Sequence, residues 1–236
     1  MNYFAHAWHF LGEPYFVAGT AVPDWLSVAD RGVRVRPKWA ERLAEDRQRH
    51  TAAVAAGALQ HIRDDRRFHR CRAFAELSLK LSAMARDALG TEAGLQPAFL
   101  GHLLVEVLLD AALLAEDPGR LEAYYHALDR VDALLVEEVV NRMASRPTRR
   151  LAPMIRGFCR EQILRDYLED GRLFVRLNQV MRRVAMGPLP DRLGRLLPEA
   201  RRLVQDRRGE LLEGIPTRGV LELRPIRTGD KPCDME

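Results

Sequence analysis

From Pro97 to Glu116 the chain reads PAFLGHLLVEVLLDAALLAE, with Leu, Val and Ala on nearly every side and no Lys or Arg between Gln96 and Asp117. A helix that is apolar all round belongs in the middle of a protein. A membrane span would bury His102, Glu106 and Asp110 in lipid at high cost, so a span is rejected in favour of a core helix. Burying a carboxylate without a partner is also costly. Glu106 and Asp110 therefore require cations, donors or a metal from elsewhere in the fold.

The rest of the chain is compatible with helices packed round that core. Alternating β-branched runs are almost absent, and helical spacing recurs nearly everywhere. Helices are expected over 37–56, over 57–70 as either a further helix or a continuation with Gly57 as a candidate break, over 72–90, and from Pro97 to about Ala115. Asp117-Pro118 is a start signal for a helix over 118–144. Ser145 to Thr148 form a turn, and helices follow over 149–168, 172–185 and 191–213. Residues 1–36 are not obviously helical throughout, and Gly19 to Asp24 read as a tight, close-packed loop. The expectation is an all-α fold, a single-domain helical bundle over 1–214, with an extended or disordered tail over 215–236.

His102, Glu106 and Asp110 stand four apart, and GALQHIRDDRRFH repeats that interval with His61, Asp65 and His69. Positions i, i+4 and i+8 share a helix face, drifting about 40° per step. Imidazoles and carboxylates on facing helices are how a bundle builds a metal site. Mixed nitrogen and oxygen donors suit zinc, iron or manganese, and the carboxylate share leans towards manganese or magnesium. His6 and Asp24 are two further candidates. The plainer alternative is that His61 caps a carbonyl, Asp65 pairs with Arg66 or Arg67, and the first stripe is a solvated face. Asp24 as a turn residue and His6 as a packed histidine are the corresponding alternatives. His9, His50 and His126 read as ordinary.

Composition bounds the partners. Formal charge is only +4, from 37 basic residues against 33 acidic ones, so nothing demands nucleic acid. Arginines gathered locally still suit an anion such as phosphate. Cys71, Cys159 and Cys233 are odd in number and widely spaced, which argues against a disulfide framework or a thiolate zinc site. A cytoplasmic setting is the expectation. The first residues have no basic run and read poorly as a signal peptide.

Taken in order, MNYFAHAW, AGTAVPDW, GALQHIRDDRRFH and VEVLLDAAL resemble the acyl carrier protein phosphodiesterase family. ILRDYLEDGRLFVRLNQVMRRV (163–184) resembles that family's C-terminal helix, so the likeness spans about residues 1–188. The resemblance implies an all-helical fold related to the HD-type metal phosphohydrolases and a divalent cation, typically manganese. By matching positions it implies that His6, Asp24, His61, Asp65, Glu106 and Asp110 are the metal and catalytic residues. Two positions depart from the pattern. The family's Asp-His pair is here Asp110-Ala111, and His69 stands where a second aspartate is expected. His102, two turns before Asp110, is a candidate replacement.

The expected function is a divalent-metal-dependent phosphohydrolase acting on a phosphate ester, with acyl carrier protein as a candidate carrier of that substrate. Manganese is the favoured ion, with zinc, iron or magnesium as alternatives. Asp24 and Asp65 are the candidates for orienting water or acting as general base. Arg63, Arg66 and Arg182 are candidates for clamping phosphate. The main rival is a helical protein whose site has decayed and which binds an acidic partner such as acyl carrier protein. A di-iron or di-manganese oxygen-reactive bundle ranks last, because no E-x-x-H pair occurs.

Overall fold

The computed structural model describes residues 1–90 and 97–215. Among these the fold is all-α, with no strand; the extended backbone makes one isolated antiparallel bridge, Val35 to Ala144. The expected tail lies outside the described residues apart from Ile215, as does Cys233.

The N-terminal segment is more helical than its sequence suggests. It forms α1 (Tyr3–Ala7) and α2 (Pro14–Ala29). The stretch from Gly19 to Asp24, expected as a loop, lies inside α2 with Pro23 in the helix interior. Next come α3 (Pro37–Leu43), α4 (Arg49–Phe68), α5 (Arg72–Leu89) and α6 (Pro97–Glu116). Of the two readings at Gly57 the continuation holds, since α4 runs through it. The expected helix over 118–144 is two helices, α7 (Pro118–Asp129) and α8 (Ala133–Met143). The break is set by Asp132, whose carboxylate accepts the amides of Leu134 and Leu135 as an N-cap.

The later segments are also divided. Residues 149–168 give α9 (Leu151–Glu161) and a 3-10 helix (Ile163–Leu168), separated by Gln162 in the left-handed region at φ 46°. After α10 (Asp170–Arg183), the expected helix over 191–213 is three short ones: α11 (Asp191–Gly194), α12 (Leu197–Asp206) and α13 (Arg208–Leu212). Pro198 in the first turn of α12 restarts the chain there.

Two long helix pairs form the frame, α2 along α4 and α5 along α6, and the short α1 touches α2, α4 and α6 at once. The main hydrophobic core draws on residues from Met1 to Leu211, and Phe16, Ala53 and Ala56 form a small separate cluster. Helix α6 is long and apolar enough to cross a membrane. In this fold its apolar residues Leu100, Leu108, Leu109 and Leu114 are instead buried in that core.

Candidate metal centre

Close approach of α2 and α4 brings the first group together. A Cβ on Gly57 would lie 2.2 Å from the Phe16 carbonyl oxygen, and one on Gly19 would lie 2.3 Å from that of Val54. Only glycine permits the two backbones to run this close. Three residues after Gly57's contact with Thr20, Pro23 lacks an N–H for the helix ladder and loosens it locally. The carbonyl that Pro23 leaves without its ladder donor is that of Gly19; the Thr20 carbonyl, one residue on, accepts from His61 Nδ1 across 2.7 Å. This contact fixes the His61 tautomer and turns Nε2 towards the carboxylates. The plainer alternative was therefore half right. His61 does bond a carbonyl, yet it is 3% exposed and lies on no solvated face.

His61 Nε2 is 3.3 Å from Asp65 Oδ2 and 4.0 Å from Asp24 Oδ1. His6, brought in by α1, stacks on His61 with ring centroids 3.9 Å apart. Its Nδ1 lies 3.4 Å from Asp64 Oδ2, and Gln60 donates to the other oxygen of Asp64 at 2.7 Å. The far nitrogen, His6 Nε2, lies 3.3 Å from Asp65 Oδ1, is buried, and has no hydrogen-bond partner. Asp24 Oδ2 is buried and unpartnered as well. Two imidazole nitrogens thus converge on one carboxylate at separations close to the ~3.4 Å edge of a tetrahedron with ~2.1 Å metal–ligand bonds. Each imidazole is held from behind, one by Asp64 and one by a backbone carbonyl, as metal-ligating histidines are.

Electrostatics agree with a cation here. Burial alone would raise the Asp65 pKa, but the His6 and His61 rings beside it hold the carboxyl well below its ordinary range. For His61, burial would lower the pKa, and Asp24 and Asp65 outweigh it to give a raised value. Asp24 is raised by burial, which its imidazole neighbours only partly offset.

The second stripe divides, because its ends lie about 80° apart round α6 and meet different neighbours. At its outer end, His102 Nε2 lies 3.3 Å from Glu106 Oε1, and His69, the C-cap of α4, approaches the same oxygen at 2.9 Å. At its inner end Asp110 is fully buried and accepts the amides of Phe4 at 3.1 Å and Ala5 at 2.8 Å. Asp110 thus holds the first turn of α1 rather than joining either group of ligand atoms. Burial pushes its pKa up to about 7, against the effect of those two amides. Between the two groups stands the Met1 ammonium, 2.6 Å from Asp65 Oδ1 and 3.0 Å from Glu106 Oε1. A positive charge there is what the facing carboxylates call for.

The arginines fall elsewhere. Arg63 is two residues from both His61 and Asp65, about 200° round α4, and so faces outwards. Arg66 and Arg182 are exposed as well, and none of the three guanidinium groups has an ion pair among the described residues. Arg183 is the arginine of α10 whose charge reaches the Tyr3 hydroxyl, where the Asp24 charge is also felt. Its carbonyl accepts from Arg31 at 2.5 Å, which ties the end of α10 to the end of α2. Sequence reasoning also missed Asp64, Gln60 and the Thr20 carbonyl. Only the Asp64-Asp65 doublet offered a signal, and nothing in it says which acid faces which way.

Compared with known proteins, the chain matches no protein-family model, no curated protein and no solved structure.

Proposed function

We propose that His6, His61 and Asp65, with Asp24 beside them, hold a divalent metal ion, and that the protein is a metal-dependent phosphoric ester hydrolase. The observation that carries this reading is His6 Nε2. It is a buried ring nitrogen 3.3 Å from Asp65 Oδ1 with no hydrogen-bond partner, on a ring whose other nitrogen faces Asp64. A buried imidazole left unpaired is costly, and an ion at that point removes the cost. Manganese, zinc, iron and magnesium are the ions this donor set admits.

When bound, such an ion supplies Lewis acidity to a phosphoryl oxygen and acidifies water. The chain's own residues do the rest. Asp65, held ionised, is a ligand. Asp24 is 26% exposed, has a free Oδ2 and a raised pKa, and is the proton acceptor for attacking water. Asp64, Gln60 and the Thr20 carbonyl keep both imidazoles aimed. Arg183, whose charge reaches the Tyr3 hydroxyl, is the group for the substrate anion. The resemblance to the acyl carrier protein phosphodiesterase family supports an HD-like arrangement and a phosphate ester carried on acyl carrier protein.

The test is to strip the purified protein of metal, restore manganese, and assay bis-p-nitrophenyl phosphate, 4-nitrophenyl phosphate and a pantetheinyl phosphodiester. Activity that is lost with chelator and with Asp65→Asn supports the hydrolase. One observation favours a second reading, a decayed site that binds an acidic partner: Ala111 is fully buried and offers no donor where the family pattern has histidine. A folded protein silent on all three substrates would favour that second reading.

A further inference from the structure

We propose that His69, His102 and Glu106 form a second divalent-metal site, open to solvent and separate from the buried centre. One departure from the family pattern, His69, meets here the candidate replacement for the other, His102. His69 and His102 lie on different helices, yet their ring centroids are 4.9 Å apart and both Nε2 atoms address Glu106 Oε1. Two imidazoles from different helices thus address one carboxylate oxygen.

Hydrogen bonding alone accounts poorly for this arrangement. Glu106 Oε1 faces His69 at 2.9 Å, His102 at 3.3 Å and the Met1 ammonium at 3.0 Å. A carboxylate oxygen has two lone pairs, so three donors on one oxygen cannot all be well directed. A cation bound by both imidazole lone pairs and the carboxylate removes the competition. Phe74 packs against both rings, with centroids at 4.9 Å from each, and limits their rotation. Exposure distinguishes this group from the buried one: His69 is 33%, His102 46% and Glu106 18% exposed. Two imidazoles and one carboxylate with the remaining positions facing water is the donor set of an open zinc-type site, and it also accepts manganese or iron. Facing Asp65 across the position of the Met1 ammonium, this ion would sit beside the first and could engage the same phosphate group.

The experiment uses the full chain, stripped with chelator, saturated with Zn²⁺ or Mn²⁺, desalted and analysed for bound metal. Wild-type protein is expected to hold two ions. The double variant His69→Ala, His102→Ala is expected to lose one ion and keep its circular dichroism and melting curve, since both side chains are part-exposed. His61→Ala is expected to lose the other ion. If the double variant binds as much metal as wild type, the second site does not exist, whatever the buried centre does. If the double variant empties the protein while His61→Ala changes nothing, the second site stands and the buried centre fails. Absence of metal from wild type overturns both.

Discussion

His6 Nδ1 lies 3.4 Å from Asp64 Oδ2, and this contact decides which of the two adjacent aspartates does what. Asp65 faces the two imidazole Nε2 atoms, while Asp64, 1% exposed, sits behind His6 and accepts from Gln60. A carboxylate facing Nδ1 favours the tautomer that donates there and turns Nε2 towards Asp65. Asp64→Asn keeps the shape but turns an amide N–H towards His6 Nδ1, favouring the opposite tautomer. The expected result is a fall in metal affinity of about 10–100-fold with the fold intact. Calorimetric metal titration checks it, and unchanged affinity would remove Asp64 from the account.

Asp110 gives a prediction that is independent of metal. Its folded pKa of about 7 lies above the usual carboxyl value of about 3.9. The protonated form is therefore the one the fold prefers. Its stabilising contribution is complete below about pH 4 and is lost as pH rises through about 7, to a total of about 4 kcal/mol. Asp65 and Glu106 act in the opposite sense: their lowered folded pKa values contribute stability above about pH 4 that is lost on acidification. Urea unfolding of metal-free protein across pH 4–7 should thus show a downward slope that Asp110→Asn flattens. Equal slopes in the two proteins would contradict the assignment.

Removing the Asp110 side chain tests its role as the anchor of α1. Asp110→Ala leaves the buried amides of Phe4 and Ala5 without acceptors, at a cost of roughly 2–6 kcal/mol. Because His6 follows directly, metal retention should fall together with the melting temperature. A variant as stable as wild type would show that α1 is held by other contacts.

Gly57→Ala places a methyl 2.2 Å from the Phe16 carbonyl oxygen and 2.8 Å from the Thr20 nitrogen, where only backbone could yield. Pushing α2 from α4 should cost about 1–3 kcal/mol or more and loosen the His61–Thr20 contact. Thermal melts and metal retention, measured on one preparation, check both effects.

Under the hydrolase reading, Arg183→Ala should raise KM for a phosphate monoester about 10-fold or more, through loss of a charge-assisted contact. The matching change Arg63→Ala, on the outer face of α4, should leave KM alone. The reverse pattern would move the anion subsite to α4.

How much of this could be read from the chain follows from what periodicity encodes. The apolar α6 announced itself as a core helix, and the four-residue spacing of His61–Asp65 and His102–Glu106 announced shared faces. Spacing says nothing about the cumulative 40° drift meeting different neighbours, so Asp110 was grouped with Glu106 although it turns to the amides of α1. Pro23 misled, and Gly57 left two readings open, for a related reason. Local propensity marks them as breakers, yet tight contact between α2 and α4 makes a helical glycine necessary at one and accommodates proline at the other. Asp132 carried a legible N-cap signal that the long run of helix formers over 118–144 obscured. Asp64 was illegible because a carboxylate behind a histidine is a tertiary relationship, here between residues 58 positions apart.

The central claim is that His6, His61 and Asp65 bind a divalent ion, and metal analysis of the purified protein with and without His61→Ala tests it most directly. At least one tightly held ion per chain is expected in wild type and the loss of one ion in the variant, with helical content preserved. Wild-type protein that holds no ion after incubation with manganese or zinc, or a His61→Ala variant that holds as much as wild type, would contradict it.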